Sequence, residues 1–165
     1  MNYEIQNTRI GNIAIGADDE DEAVTFLIMK CDYVLQGNFQ RRLTPVIRDA
    51  FVQLNEYLES RRKKFDLNLS QKGTDFQMKV WEAVKNIPYG ETISYGELAA
   101  HTGMKGAARA VGGAVKMNRI PVFIPCHRVI AANHKLGGYS YGLELKIALL
   151  KTEGINFEPE AVRRA

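Results

Sequence analysis

The chain has 165 residues, 45% of them hydrophobic and 25% charged, which is typical of a globular protein of one domain or two small ones and argues against disorder. Residues 1 to 9 are polar and lack the pattern of a secretory signal, and no apolar run approaches the roughly 20 residues that span a bilayer. We therefore expect a cytoplasmic protein with no membrane partner. The two cysteines, Cys31 and Cys126, lie far apart, which argues against a disulfide framework and a structural zinc site.

Charge is unevenly distributed along the chain, although the net charge is only +3. Residues 1 to 30 carry two basic and six acidic residues, whereas residues 101 to 135 carry six Lys or Arg and no Asp or Glu. The basic stretch could neutralise the phosphates of nucleic acid. Charge runs also occur on ordinary solvated surfaces, so charge alone leaves both interpretations open.

The first 70 residues predict a small antiparallel sheet with one helix. Apolar residues that alternate with polar ones, or run together, predict strands over residues 3 to 6, 13 to 15 and 24 to 29. Thr44 and Pro45 form an N-cap and first-turn pair, and the apolar residues after them repeat at helical spacing up to a helix end near Ser60. Residues 65 to 69 predict one further strand.

From Gly73 onward the pattern changes from strands to short helices. We therefore predict an N-terminal α/β domain over residues 1 to 72 and a C-terminal domain over residues 73 to 165. Two capping boxes, in which Ser or Thr precedes Glu or Gln by three positions, predict where helices begin. They are Thr74 with Gln77 and Ser94 with Glu97.

Two successive helices around Gly103 predict a helix-turn-helix, the second of them over residues 105 to 117. Residues 107 to 114 within it are nearly all Ala or Gly. Each interior Gly costs a helix about 0.5 to 1 kcal/mol, which indicates that another surface, either a neighbouring helix or nucleic acid, approaches the backbone closely. Arg109, the one large charged side chain in this stretch, favours insertion into a duplex.

A reactive thiol is predicted at Cys126, because an apolar stretch bounded by Pro121 and Pro125 leads directly into Cys126, His127 and Arg128. Thiolate is the reacting form, and we expect the cationic neighbourhood of His127 and Arg128 to lower the pKa of Cys126. A buried structural cysteine beside an incidental histidine is the alternative. Neighbouring side chains in an extended strand point to opposite faces, so a bend or a bridging water must connect the thiol with the imidazole.

Residues 125 to 129, Pro-Cys-His-Arg-Val, resemble the active-site motif of the O6-alkylguanine-DNA alkyltransferases. The resemblance covers most of residues 73 to 154, with further ordered matches at Gly73-Thr74, Phe76-Gln77, Val80-Trp81, residues 90 to 95, residues 107 to 114, Asn118, Tyr139-Ser140 and Glu153-Gly154. The first 70 residues match only in general character and lack the Cys and His that bind zinc in some members. The resemblance therefore implies no metal and no other cofactor. It implies an α+β fold with a ribonuclease H-like N-terminal sheet and a C-terminal helical domain that contains a winged-helix-like helix-turn-helix.

The resemblance also implies a role for each matching residue around the thiol. Cys126 is the nucleophile, His127 takes its proton through a water, and Glu153 orients the imidazole, which applies the logic of a catalytic triad to a thiol. Asn118 braces the turn around the site. Tyr95 donates a proton to the departing guanine and crowds the adjacent phosphate.

The base pocket and the DNA surface follow from the same resemblance. Tyr139 stacks on the flipped base and Ser140 hydrogen-bonds near its oxygen, with Tyr95 as a further pocket residue. The small helix enters the minor groove, where Arg109 intercalates and Lys116 contacts phosphate. The residues expected at the DNA are Ala107, Ala108, Arg109, Ala110, Gly112, Gly113, Lys116 and Arg128.

The activity that the resemblance implies is repair of double-stranded DNA containing O6-alkylguanine, by a monomer that moves the alkyl group onto Cys126. Attack by the thiolate leaves a thioether, and the sequence offers no cofactor motif that could regenerate the thiol. We therefore expect a single-turnover cysteine methyltransferase. Whether O4-alkylthymine is a second substrate stays open.

Three other functions compete with this interpretation. A non-catalytic binder of alkylated DNA would have lost the reactive cysteine, whereas Cys126 is present. A helix-turn-helix transcription regulator would need a dimerisation element and polar base-reading side chains, where this helix offers Ala and Gly. A thiol hydrolase would turn over many times.

Overall fold

The computed structural model describes residues 1 to 157, and the chain divides into two compact units, Met1–Gln71 and Lys72–Ala165. The first unit contains β1 (Asn2–Thr8), β2 (Gly11–Ala17), β3 (Val24–Met29), β4 (Gln40–Arg41) and α1 (Pro45–Leu58). Its sheet has the order β3-β2-β1-β4 and is antiparallel except where β4 runs parallel to β1. The first three predicted strands and the helix are confirmed, within a mixed α+β fold.

Helix α1 begins where the sequence predicts, because the Thr44 side chain accepts a hydrogen bond from the Ile47 amide and Pro45 lies in the first turn. Helical spacing then brings Ile47, Phe51 and Leu54 onto one buried face, which packs on the sheet. Burial of each such side chain contributes about 1.5 to 3 kcal/mol. This face therefore holds the helix against the strands.

The strand predicted over residues 65 to 69 is wrong. Leu69 forms only an isolated bridge with Val24. The main chain of Asp66 is engaged by a side chain of α1 instead, since Gln53 donates to the Asp66 carbonyl at 3.0 Å and accepts from the Asp66 amide at 2.8 Å. The start of the segment is thus held by a side-chain amide, while its end meets β3 through two main-chain hydrogen bonds, from the Val24 amide to the Asn68 carbonyl at 2.9 Å and from the Ser70 amide to the Val24 carbonyl at 2.8 Å.

The second unit contains α2 (Asp75–Lys85), β5 (Ile93–Ser94), α3 (Tyr95–His101), α4 (Ala108–Lys116), β6 (Val129–Ile130) and α5 (Leu143–Thr152). The two short strands pair in parallel. Both predicted capping boxes are confirmed at the starts of α2 and α3. Across residues 1 to 157, no helix combines the length and the apolar character that crossing a membrane requires.

Helix α4 begins at Ala108 rather than at residue 105, because Gly106 adopts a φ of +87° that belongs to a turn. One face of α4 is packed inward: Val111 and Ala114 are buried, and the indole Nε1 of Trp81 donates to the Ala114 carbonyl at 2.9 Å. The opposite face of α4 is left exposed.

Candidate active site

The turn that leads to the thiol is strained and is held by Asn118. Val122 has a φ of +72°, which a β-branched residue rarely adopts and which persists only where the surroundings hold it. The Asn118 side chain donates to the Ile124 carbonyl at 3.0 Å and accepts from the Ile120 amide at 3.0 Å. These bonds fix the turn at both ends and agree with the bracing role expected of Asn118.

Cys126 lies at the start of a 3₁₀ turn, Cys126–Arg128, rather than in an extended strand. The residue is 8% exposed and lines a small cavity of about 20 Å³. A space of this size holds about one water molecule. The predicted site residues that share the cavity are Tyr95, Lys116, Asn118, Tyr139 and Ser140, and Tyr141 joins them.

Burial dominates the ionisation of Cys126. It raises the pKa of the thiol, while side-chain hydrogen bonds to Asn118 and Tyr139 and the charge of Lys146 act in the opposite direction. The expected lowering of this pKa by His127 and Arg128 is therefore wrong. Removal of the sulfur from water outweighs the nearby charge, and the cation that acts on it is Lys146.

His127 and Glu153 form a buried pair behind the thiol. His127 is fully buried, and its Nε2 lies 2.5 Å from Oε2 of Glu153, the residue that ends α5. The pKa of His127 is lowered overall: burial is the largest cause, Glu153 opposes it, and the charges of Arg128 and Lys146 add to the lowering. The imidazole is therefore held neutral and can accept a proton.

Arg128 does not lie on a DNA surface, so the prediction that it contacts DNA is wrong. The residue is 6% exposed, and its guanidinium donates to Oε1 of Glu153 at 2.8 Å and to the Ile87 carbonyl at 2.6 Å. The same carboxylate oxygen accepts from the Gly90 amide at 2.9 Å. Arg128 thus fixes Glu153, which in turn contacts His127.

Lys146 is a site residue that the sequence reading missed. It lies on α5, is fully buried, and points its ammonium at the main chain of the loop beside Cys126. A signal was available, because Lys146 falls three and four positions before Leu149 and Leu150 and so shares their buried face.

Tyr95 begins α3 and lies within the same cavity. Burial raises the pKa of its phenol, and the charge of Cys126 raises it further. The phenol therefore stays protonated at neutral pH, as a proton donor must.

The exposed face of α4 carries the other predicted residues. Arg109, Ala110, Gly113 and Lys116 are exposed, while Ala107, Ala108 and Gly112 are half-buried. A β-carbon added to Gly113 would meet no atom within 4 Å, and one added to Gly112 would touch only the Tyr95 ring at 3.6 Å, an ordinary contact. Packing inside the unit therefore does not require glycine at either position.

The site as a whole combines a buried cysteine with a buried His-Glu pair on a helical unit, an arrangement typical of proteins that use a cysteine as nucleophile. A family model described as "6-O-methylguanine DNA methyltransferase, DNA binding domain" matches residues 75 to 155. Within residues 1 to 157, no group of three or more His, Cys, Asp and Glu side chains is arranged to hold a metal ion.

Two curated relatives align over almost the whole chain. The constitutive methylated-DNA--protein-cysteine methyltransferase of Bacillus subtilis is 43% identical over 161 residues, covering 94% of this chain and 97% of that protein. The methylated-DNA--protein-cysteine methyltransferase of Methanosarcina acetivorans is 43% identical over 155 residues, covering 93% and 99%. A crystal structure of Mycobacterium tuberculosis OGT in complex with DNA superposes with a TM-score of 0.84 at 40% identity, covering 93% of this chain and 92% of that one. The chain belongs to the methylated-DNA--protein-cysteine methyltransferase family.

Proposed function

We propose that this protein repairs DNA by moving a methyl or larger alkyl group from O6 of guanine onto Cys126, once per molecule. The observation that carries the proposal is the buried thiol in a cavity shared with Tyr95, Asn118, Tyr139 and Ser140, in a chain of this family. The sulfur attacks the alkyl carbon, the carbon-oxygen bond breaks, and a thioether forms. Because a thioether is stable in thiol exchange, the protein is consumed.

The contacts of the site indicate the path that each proton takes. Since Nε2 of His127 contacts Glu153, the thiol proton reaches the ring at Nδ1, by way of a water. A neutral imidazole accepts it and Glu153 stabilises the resulting charge. The protonated phenol of Tyr95 supplies a proton to the departing guanine.

The base must leave the helix to reach the sulfur. The base then enters the cavity of Cys126, whose wall includes Tyr139 and Ser140. Extrusion of a base costs a few kcal/mol, and we assign to Arg109 the role of filling the vacated stack. The exposed small residues of α4 then lie against the minor groove, with Lys116 at a phosphate.

The proposal extends to the two domains of the chain and to the state in which the protein acts. The sheet order with one parallel edge supports a ribonuclease H-like domain over residues 1 to 72. The succession α2, β5, α3, α4 and β6 supports a winged-helix-like, DNA-binding domain over residues 73 to 165. We propose that the protein acts as a monomer in the cytoplasm, on duplexes that contain alkylated guanine.

Substitution of Gly113 by Leu tests the surface of α4. Because nothing lies within 4 Å of the added β-carbon, the variant is expected to fold and to gain about 0.5 to 1 kcal/mol of helix stability. Its affinity for an alkylated duplex is expected to fall at least about 10-fold, equal to about 1.4 kcal/mol, as measured by fluorescence anisotropy. Ala100→Leu, at an exposed position on α3, is the matched control. Unchanged affinity for Gly113→Leu would exclude α4 from the DNA interface.

Stoichiometry tests the proposed function itself. With a duplex that contains radiolabelled O6-methylguanine in excess, label on the protein is expected to rise to one methyl per chain and stop. Cys31→Ser, which removes the other free and buried thiol, is expected to behave as the wild type. Continued loss of lesion beyond one per chain would indicate a hydrolase, and binding with no loss would indicate a lesion binder or a regulator.

A further inference from the structure

Lys146 is a charged residue on α5 whose polar contacts are made inside the second unit. Its side chain is fully buried, and Nζ donates to the carbonyls of Val129 at 2.8 Å, Leu136 at 2.6 Å and Gly138 at 3.0 Å. An ammonium has three donors and no acceptor, so the protonated form matches these three acceptors and a neutral amine leaves one carbonyl without its partner.

The three carbonyls lie on both sides of one loop. Val129 belongs to β6, which directly follows the Cys126–Arg128 turn, while Leu136 and Gly138 precede Tyr139 in the wall of the cavity. One ammonium therefore ties the segment that carries the nucleophile to the segment that carries the base-facing side chains.

The charge of Lys146 also reaches the reacting groups. It lowers the pKa of Cys126 and the pKa of His127. Burial lowers the pKa of Lys146 to about 8, and the charge of Cys126 opposes that shift. Cys126 and His127 are two titratable groups on which the charge of Lys146 acts in this way. The ammonium thus favours a thiolate beside a neutral imidazole.

We propose that Lys146 is a positioning residue for alkyl transfer, which fixes the loop of residues 129 to 138 on the Cys126 turn and places a positive charge that favours the thiolate as it forms. This inference rests on the proposed function, because the reaction it serves is the transfer to Cys126. It adds a buried lysine from within α5 to the residues already placed around Cys126.

Three variants separate the role of the charge from that of the fold. Lys146→Met keeps the length and removes the charge, Lys146→Arg keeps the charge, and Lys151→Met changes an exposed lysine on the same helix. In a Cys31→Ser background, the rate at which iodoacetamide modifies Cys126 is measured against pH. We expect the midpoint of the Cys126 titration to move to higher pH in Lys146→Met and to move less in Lys146→Arg. In Lys151→Met this midpoint should match that of the wild type.

Alkyl transfer from a methylated duplex supplies the second readout. For Lys146→Met we expect the saturating rate constant to fall on the order of 100-fold, the size of loss seen when a charge-stabilising group is removed. The half-saturating DNA concentration should stay near that of the wild type, because the exposed face of α4 is untouched. A wild-type thiol titration together with a wild-type saturating rate would overturn the proposal.

The proposal stays testable if Lys146→Met does not fold. In the wild type, the titration of the lysine Nζ groups is followed by NMR and compared with that of Cys126→Ser, which cannot form a thiolate. We expect Lys146 to titrate near pH 8 in the wild type and at lower pH in Cys126→Ser. An identical titration in both proteins would overturn the coupling. These thiol and NMR readouts need no DNA, so a failure of the repair function would be recognised separately.

Discussion

Replacement of Glu153 by Gln is expected to lower the rate of alkyl transfer by about 100-fold to 10,000-fold, the range for loss of acid-base support. The carboxylate accepts from Arg128 and from the Gly90 amide on one oxygen and contacts His127 on the other. A carboxamide has one acceptor oxygen and one donor nitrogen. Its nitrogen must therefore face either the guanidinium or the imidazole. In the second case it donates to Nε2 of His127, which leaves the ring proton on Nδ1 and prevents Nδ1 from accepting the thiol proton.

The same substitution is expected to reduce stability. Arg128 keeps its buried charge and loses its anionic partner, and breaking a buried ion pair on one side costs about 3 to 5 kcal/mol. Urea denaturation measures this loss, and Glu144→Gln, at an exposed position of α5, serves as the control. Wild-type stability and rate in Glu153→Gln would show that the buried pair does not organise the site.

Replacement of Arg109 by Ala is expected to reduce the rate of transfer from an alkylated duplex by about 10-fold to 100-fold. Extrusion of a base costs a few kcal/mol, and in this variant no side chain fills the space that the base leaves in the stack. Arg109 is exposed on α4 and is remote in sequence from Cys126. Reaction with free O6-benzylguanine should therefore proceed at the wild-type rate. Single-turnover kinetics on both substrates measure the difference.

Arg109→Lys distinguishes insertion from simple phosphate neutralisation. A lysine keeps the charge but lacks the flat guanidinium that can stack between bases. If Arg109 inserts between bases, Arg109→Lys should react almost as slowly as Arg109→Ala. If Arg109 only neutralises a phosphate, Arg109→Lys should react at nearly the wild-type rate. Equal losses on the duplex and on the free base would contradict the assigned role.

Local signals in the sequence predicted most of the elements. Thr44, Thr74 and Ser94 are capping residues whose hydrogen bonds form within one helical turn. Their effect therefore does not depend on residues elsewhere in the chain. In the segment of residues 65 to 69, which was wrongly predicted as a strand, the main chain of Asp66 is bonded to Gln53, which lies more than ten positions away. A pattern within five residues cannot reveal such a partner.

The sequence predicted several of the side chains that lie around Cys126, but it missed Lys146 and could not give the electrostatics of the site. The motif around Cys126 and the matches at Asn118, Tyr139 and Glu153 identified side chains that the fold does bring close to one another. The sequence could not give the depth of burial, which decides the pKa of Cys126. For the same reason Arg128 was assigned to DNA although its partner is Glu153.

The proposed reaction leaves the alkyl group on one particular sulfur, that of Cys126. Peptide mass spectrometry after reaction with a duplex that contains O6-methylguanine measures this directly. We expect one added methyl on the peptide that contains Cys126, none on the peptide that contains Cys31, and no lesion loss with Cys126→Ser. Clearance of the lesion with Cys126 unmodified, or by Cys126→Ser, would contradict it.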